Sequence, residues 1–170
     1  MDPLQQLQKS RLIWKSKNIP LHIAITGESA SGKSTFVNVF RGLDKKDKSN
    51  AAPGCVETTM EVKSYPHPKY PKVTLRDLPG IGTTKFPADK YLKHVGFERF
   101  DFFVIISADR FRENDVKLAK EIQRMEKKFY FVRSKMDHSM RDEEETQSEF
   151  NEEKTLAKIK NDCVQGSKWL

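Results

Sequence analysis

The strongest chemical signal in this chain is a glycine-rich segment that ends in lysine, serine and threonine. It consists of Gly27, Glu28, Ser29, Ala30, Ser31, Gly32, Lys33, Ser34 and Thr35, and its first eight residues match the pattern GxxxxGK[ST]. Two glycines let a backbone wrap closely around a phosphate group, and the N–H groups of a following helix face the anion. Lys33 would then meet the β- and γ-phosphates, and the Ser34 hydroxyl would meet Mg²⁺. The segment therefore predicts a nucleoside-phosphate site.

A second signal, Asp77-Leu78-Pro79-Gly80, follows a predicted strand about 50 residues further on. Alone it is weak, since Asp-x-Pro-Gly is also a common turn. After a phosphate-binding loop, DxxG suits a carboxylate that holds Mg²⁺, often through water, and a glycine whose N–H meets the γ-phosphate. We therefore expect Asp77 and Gly80 to complete the phosphate end of the site.

The segment Ser134-Lys135-Met136-Asp137 resembles the [NT]KxD element that reads guanine. Asp137 would accept hydrogen bonds from N1 and N2 of guanine, while the stem of Lys135 would lie along the base. Adenine lacks that pair of donors, so the element argues against an ATPase or a kinase that uses the same phosphate loop. Ser134 departs from the usual Asn or Thr, although its hydroxyl can still form a local hydrogen bond.

The segment Val56-Glu57-Thr58-Thr59-Met60 lies between the phosphate loop and the second predicted strand. A threonine hydroxyl in this place commonly meets Mg²⁺ and the γ-phosphate, and we favour Thr59 over Thr58, although these threonines could simply begin the strand. A glutamine that orients the attacking water often follows DxxG. Ile81 occupies that place and cannot position water, so we expect slow hydrolysis unless another group takes over.

The elements that must position these residues alternate along the chain. Apolar runs predict strands at 21–26, 61–65, 72–77, 101–107 and 129–133. Helical spacing predicts helices at 2–16, 36–41, 114–127 and 152–164. The segment 45–52 reads as a loop, and the acidic segment 142–149 reads as a loop or as the fraying start of a helix. Alternating strands and helices predict an α/β fold with a mostly parallel sheet in three layers.

Composition limits the remaining function classes. The chain has 170 residues, 36% hydrophobic and 32% charged, with a net charge of +7. The lysines are spread along the chain without interleaved aromatics, which argues against nucleic acid as a partner. Cys55 and Cys163 have no metal-ligand spacing and indicate free thiols in a cytoplasmic protein. No apolar run approaches the roughly 18 residues needed to span a bilayer, and Asp2 replaces the glycine that N-myristoylation requires, so we expect any membrane contact to be peripheral.

Together these segments resemble the immunity-related, interferon-inducible GTPases, which are dynamin-like. The resemblance rests on Gly-Glu-Ser-x-Ser-Gly-Lys-Ser-Thr, Asp-Leu-Pro-Gly-Ile-Gly, the stretch from Phe97 to Ser107, Lys-Phe-Tyr-Phe-Val-Arg at 128–133 and the Tyr-Pro-His-Pro at 65–68. It covers residues 21–163. It implies a GTPase of the Ras-like P-loop fold that uses GTP, GDP and Mg²⁺ in cell-autonomous defence at intracellular membranes such as the endoplasmic reticulum or a vacuole.

The resemblance also implies assembly with the same or related GTPases through the G domain, which promotes hydrolysis. In that picture a glutamate of the segment before the second strand acts across the dimer, and Glu57 falls on that position. Glu57, Lys33 and Thr59 are therefore the predicted catalytic residues. Ser34, Thr59 and Asp77 are the predicted Mg²⁺ ligands, with Asp77 acting through water.

Two departures from the family pattern shape the expected domain organisation. We expect an N-terminal helical segment at 1–18, an incomplete G domain at 19–165 and a tail at 166–170. No strand-like run follows residue 164 to supply a last strand and helix of the G domain. An alternative function is therefore a catalytically weak short form that regulates full-length relatives by heteromeric pairing.

Overall fold

A single five-stranded sheet organises the computed structural model, which describes residues 19–44, 46–51, 61–81, 88–108, 112–146 and 149–167. The strands are β1 (Leu21–Thr26), β2 (Lys63–Pro66), β3 (Val73–Asp77), β4 (Phe102–Ser107) and β5 (Lys128–Arg133). Their order across the sheet is β2-β3-β1-β4-β5. β1 pairs in parallel with β3 and β4, and β4 pairs in parallel with β5, whereas β2 runs antiparallel to β3.

In the described residues, three helices follow β1, β3 and β4 and lead to the next strand, and two more helices follow β5. They are α1 (Lys33–Arg41), α2 (Ala88–Val95), α3 (Glu113–Arg124), α4 (Met136–Thr146) and α5 (Glu152–Ser167), with a 3-10 turn at Phe97–Arg99. Across the described ranges, no helix combines the length and apolar character needed to cross a membrane.

The central strands are buried on both faces because their apolar residues alternate between two cores. On one face Ala24 and Phe103 pack with Leu118 and Ile122 of α3. On the other face Ile25, Val104 and Ile106 pack with Val37 of α1. Helix, sheet and helix therefore form three layers, which confirms the predicted α/β class.

The five predicted strands are all present, with bounds within two residues of those expected. The acidic segment 142–149, predicted as a loop or the fraying start of a helix, instead contains the last residues of α4, at 142–146. Since α4 has no buried side chain, it carries no apolar periodicity that could reveal it. α2 was not predicted, and α5 continues to Ser167, beyond the expected end near residue 164. The predicted N-terminal helix lies outside the described residues.

Candidate nucleotide-binding site

The segments predicted to bind nucleotide meet at one edge of the sheet. They follow β1, β3 and β5, and the carboxyl ends of parallel strands lie side by side. Backbone hydrogen bonds join them there: the Leu78 N–H donates to the Ile25 carbonyl over 3.0 Å and the Ile81 N–H to the Gly27 carbonyl over 3.1 Å. The Ser134 N–H donates to the Ser107 carbonyl at 2.8 Å.

Two glycines shape the loop between β1 and α1. Gly27 has a φ of 141°, and a Cβ atom there would lie 2.1 Å from the Ile106 carbonyl oxygen. Gly32 has a φ of 96° and caps the start of α1, where the Phe36 N–H donates to the Gly32 carbonyl at 2.9 Å. α1 thus begins at Lys33, and its N-terminal N–H groups point towards the loop, as anion binding requires. Ser29, Ala30 and Thr35 are exposed around it.

Lys33 lies folded over this loop and is only 7% exposed. Its Nζ donates to the Glu28 carbonyl at 2.7 Å and to the Gly27 carbonyl at 3.3 Å. These two contacts hold the ammonium group above the backbone that would surround a phosphate. The arrangement places a fixed positive charge where the sequence predicts the β- and γ-phosphates.

Ser34 and Asp77 come together across the gap between α1 and β3. The Ser34 Oγ donates to Asp77 Oδ2 at 2.8 Å, and Asp77 is 1% exposed. Its second oxygen, Oδ1, is buried and finds no hydrogen-bond partner among the described residues. Burial raises the pKa of Asp77, while the Ser34 hydrogen bond and the Lys33 charge oppose the rise. An unpaired carboxylate oxygen beside a serine hydroxyl fits a hard cation such as Mg²⁺.

Gly80 lies directly against the phosphate loop. A Cβ atom at this position would approach the Ser29 Cα to 2.7 Å and the Ser29 backbone nitrogen to 2.8 Å. Real side chains do not tolerate such distances, so glycine is required by the close approach of two backbones. The predicted γ-phosphate contact and the loop are therefore neighbours.

Ser134 connects the predicted base-reading segment to the phosphate loop. Its hydroxyl lies 2.5 Å from the Ser31 carbonyl oxygen and 3.3 Å from the Ser107 carbonyl oxygen. Lys135 follows in a left-handed conformation, with a φ of 50°. Asp137 lies in the first turn of α4, where its side chain is 63% exposed and 3.5 Å from the Arg141 guanidinium. Such an exposed ion pair is weak, so the carboxylate can exchange it for another donor.

The remaining predicted residues divide into two groups. Glu57, Thr58 and Thr59 lie outside the described residues. Ile81 is buried in the core together with Leu78. Its side chain is therefore part of the packing beneath the loop.

Two sets of contacts around the site were not predicted from the sequence. The Glu28 carboxylate lies 3.0 Å from the Arg112 guanidinium and accepts a 3.2 Å hydrogen bond from Asn114. Its carboxylate thus faces the start of α3, although the backbone of Glu28 belongs to the phosphate loop. Thr26 and Tyr91 form a buried hydroxyl pair beneath the loop. These partners are 65 to 86 residues apart, and no local pattern marks them.

A glycine loop capped by a lysine-bearing helix, next to an aspartate and serine that face each other, defines a P-loop nucleotide-binding domain. The model of the interferon-inducible GTPase family matches residues 5–168. The chain belongs to this family.

Two curated relatives and one solved structure illustrate the similarity. Interferon-gamma-inducible GTPase 10 of Mus musculus is 51% identical over 146 residues, which cover 85% of this chain and 35% of the relative. Interferon-inducible GTPase 5 of Rattus norvegicus is 43% identical over 155 residues, covering 91% and 34% respectively. The chain thus spans about a third of the length of these relatives.

The solved structure is a variant of S. thermophilus NFeoB bound to GDP and AlF4⁻. It aligns with a TM-score of 0.51 at 20% identity, over 76% of this chain and 51% of that chain. At this identity the likeness concerns the fold, and it agrees with the expected P-loop GTPase architecture.

Proposed function

We propose that this chain binds GTP and GDP with Mg²⁺ and hydrolyses GTP to GDP and phosphate in cell-autonomous innate immune defence. The observation that carries the proposal is the convergence of Lys33, Ser34 and Asp77 on one phosphate loop. Family membership supports GTP as the substrate, since the similar relatives are named as interferon-inducible GTPases.

The phosphate end of the site is proposed to work through charge and backbone donors. The loop N–H groups and Lys33 would hold the β- and γ-phosphates, and Gly80 would add an N–H at the γ-phosphate. Ser34 and Asp77 would hold Mg²⁺, with Thr59 as a further ligand. When bound, the ion would neutralise charge on the phosphate oxygens.

Guanine selectivity is proposed to come from Lys135 and Asp137. Asp137 is exposed near the end of β5, and its partners Arg141 and His138 lie 3.5 and 3.8 Å away. The N–H groups of a guanine base could replace these weak ion-pair contacts at the Asp137 carboxylate. Ser134 would help to position these two residues, because its hydrogen bond to the Ser31 carbonyl joins the proposed base-reading segment to the phosphate loop.

Catalysis is proposed to depend on assembly through the G domain, with the same chain or related GTPases. Ile81 is buried and aliphatic, so it cannot orient water. Glu57 would provide the missing group across the interface, and the protein would act in the cytoplasm with peripheral contact to intracellular membranes. No feature of the described residues favours the alternative of a regulatory short form.

The first test is nucleotide binding by the purified chain. We expect labelled GDP to bind in the presence of Mg²⁺ at least tenfold more tightly than ATP. Lys33→Ala should abolish binding of both, because it removes the charge over the loop. Equal affinities for GDP and ATP would contradict guanine selectivity, and binding that survives Lys33→Ala would contradict the assigned site.

A second variant tests the base contact separately from the phosphate contact. Asp137→Asn replaces one acceptor oxygen with an amide donor, whereas xanthine has a carbonyl in place of the guanine amino group. We expect this variant to lose affinity for GDP and to gain affinity for xanthosine diphosphate, because the new amide N–H can donate to the xanthine carbonyl. A variant with unchanged preference would show that Asp137 does not read the base.

Assembly is tested by the dependence of turnover on protein concentration. The rate of GTP hydrolysis per molecule should rise with concentration, and Glu57→Gln should remove that rise. A rate per molecule that stays constant over a hundredfold range would contradict assembly-promoted hydrolysis.

A further inference from the structure

Three segments around the site are joined by a chain of buried hydroxyl groups. The Tyr91 hydroxyl of α2 donates to the Pro79 carbonyl oxygen at 2.7 Å, and it lies 3.0 Å from the Thr26 hydroxyl at the end of β1. A phenol has one proton, which Tyr91 gives to Pro79, so the Thr26 hydroxyl is the donor in the second contact. Tyr91 and Thr26 are both 0% exposed.

The Pro79 carbonyl belongs to the same peptide unit as the Gly80 N–H. This unit is planar and trans, since the structure contains no cis peptide bond in the described residues. The N–H therefore points opposite to the C=O. Because Tyr91 holds the Pro79 carbonyl in the core, the Gly80 N–H points in the opposite direction. A Cβ atom built on Gly80 would lie 2.7 Å from the Ser29 Cα, so the Gly80 backbone lies directly against the P-loop.

We propose that Tyr91 is a positioning residue that fixes the Gly80 N–H towards the γ-phosphate and so distinguishes GTP from GDP. The inference rests on the proposed function, because it assumes a guanine nucleotide on this loop. GDP has no γ-phosphate and makes no use of this N–H. The contribution of Tyr91 is therefore specific to the triphosphate.

Two properties of Tyr91 suit it to this role. Burial raises the pKa of its hydroxyl far above the ordinary value, so the group remains a hydrogen-bond donor at physiological pH. Its ring packs among Leu78, Val95 and Phe97, with the Phe97 ring edge-on at 6.2 Å between centroids. Phenylalanine retains this packing, and Tyr91→Phe therefore isolates the hydroxyl.

The experiment compares the affinities of a non-hydrolysable GTP analogue and of GDP, both with Mg²⁺. Tyr91→Phe should weaken analogue binding about five- to tenfold, the usual effect of losing one hydrogen bond, and should change GDP binding less than twofold. Tyr130→Phe is the matched control, since it removes a phenol that is 68% exposed, and it should change neither. Thr26→Val removes the other hydroxyl but leaves the Tyr91–Pro79 bond, so the ratio of the two affinities should stay near that of the parent.

Three results would overturn the inference while leaving guanine-nucleotide binding in place. They are an unchanged ratio in Tyr91→Phe, an equal loss for both nucleotides, and a shift in Thr26→Val as large as that in Tyr91→Phe. A parent chain that binds no guanine nucleotide would overturn the proposed function and the inference together.

A measurement on the parent chain covers the case in which Tyr91→Phe does not fold. The GTP analogue should slow hydrogen exchange at the Gly80 amide relative to GDP, because the N–H would then be bonded to the γ-phosphate. Equal exchange in the two complexes would overturn the inference.

Discussion

The Ser134 hydroxyl donates a 2.5 Å hydrogen bond to the carbonyl oxygen of Ser31, a residue 103 positions earlier in the chain. This bond ties the turn after β5 to the middle of the phosphate loop. The usual residue at this place in [NT]KxD elements is Asn or Thr. The serine hydroxyl reaches the loop backbone nonetheless, so the departure from the pattern preserves a connection between the two ends of the site.

Ser134→Ala removes this connection. We expect GDP affinity to fall about three- to tenfold, since a hydrogen bond of this kind contributes about 1 kcal/mol. Ser134→Thr retains a hydroxyl and should bind GDP within twofold of the parent. The measurement is a fluorescence titration with labelled GDP. An alanine variant that binds as tightly as the parent would show that the loop keeps its shape without Ser134.

Gly27 and Gly42 allow a matched comparison of backbone strain and steric contact. Both have positive φ, 141° at Gly27 and 66° at Gly42. A Cβ atom at Gly27 would lie 2.1 Å from the Ile106 carbonyl oxygen, whereas a Cβ atom at Gly42 would meet nothing within 4 Å. Gly42→Ala should cost about 1 to 2 kcal/mol of unfolding free energy, the price of a left-handed alanine. Gly27→Ala should cost at least twice as much, because the backbone must also move. Urea denaturation measures both, and equal losses would contradict the predicted clash.

The features that could be predicted from the sequence are those set by short or periodic segments. The strands carry apolar runs, and the phosphate loop is contiguous, so both could be recognised from short segments. α2 was missed because it has only eight residues, and Tyr91 gives no local sign that it bonds to Thr26 and Pro79.

Other features were inaccessible for similar reasons. α4 was missed because an exposed helix without buried side chains has no apolar period. The contact between Ser134 and Ser31 depends on the sheet order, in which β4 lies between β1 and β5. In this order the carboxyl ends of β1 and β5 lie at the same edge of the sheet, two strands apart. Such contacts follow from the assembled fold and not from any one segment.

Asp115 gives a prediction about the pH dependence of stability. Asp115 is 0% exposed, and burial raises the pKa of its carboxyl group, with a smaller contribution in the same direction from Glu28. The hydrogen bond from the Arg112 N–H and the charge of Arg112 oppose this rise. Between the ordinary value of 3.8 and the raised folded value, the folded state binds more protons than the unfolded state. The contribution of Asp115 to the stability of the parent therefore falls as pH rises through this window. Asp115→Asn does not titrate, so its stability relative to the parent should increase over the same window and then level off.

Asp47 is the control for this measurement because its pKa moves in the opposite direction. It is exposed, and hydrogen bonds from the Ser49 hydroxyl and N–H lower its pKa. The stability it contributes is present above 3.8 and is lost as pH falls through its folded value. Asp47→Asn should therefore lose stability relative to the parent as pH rises. Urea unfolding between pH 3 and 7 measures both differences, and the interpretation would be contradicted if the two differences from the parent changed in the same direction as pH rises.

Asp77→Asn should separate metal binding from folding. The buried carboxylate has an unpaired oxygen, so its charge is costly to the folded protein in the absence of a cation, whereas asparagine can still accept the Ser34 hydrogen bond. We expect the nucleotide-free variant to melt no lower than the parent.

Metal binding is measured through the effect of Mg²⁺ on GDP affinity. In the parent, replacing EDTA by Mg²⁺ should strengthen GDP binding about tenfold or more, equivalent to about 1.4 kcal/mol. In the variant the two conditions should give nearly the same affinity. Asp101→Asn changes an aspartate immediately before β4 whose carboxylate accepts the His22 N–H, and it should retain the full Mg²⁺ effect. A large Mg²⁺ effect that persists in Asp77→Asn would show that Asp77 does not hold the ion. The remaining candidates, Ser34 and Thr59, contribute only hydroxyl groups, so the carboxylate that holds Mg²⁺ would then be a different one.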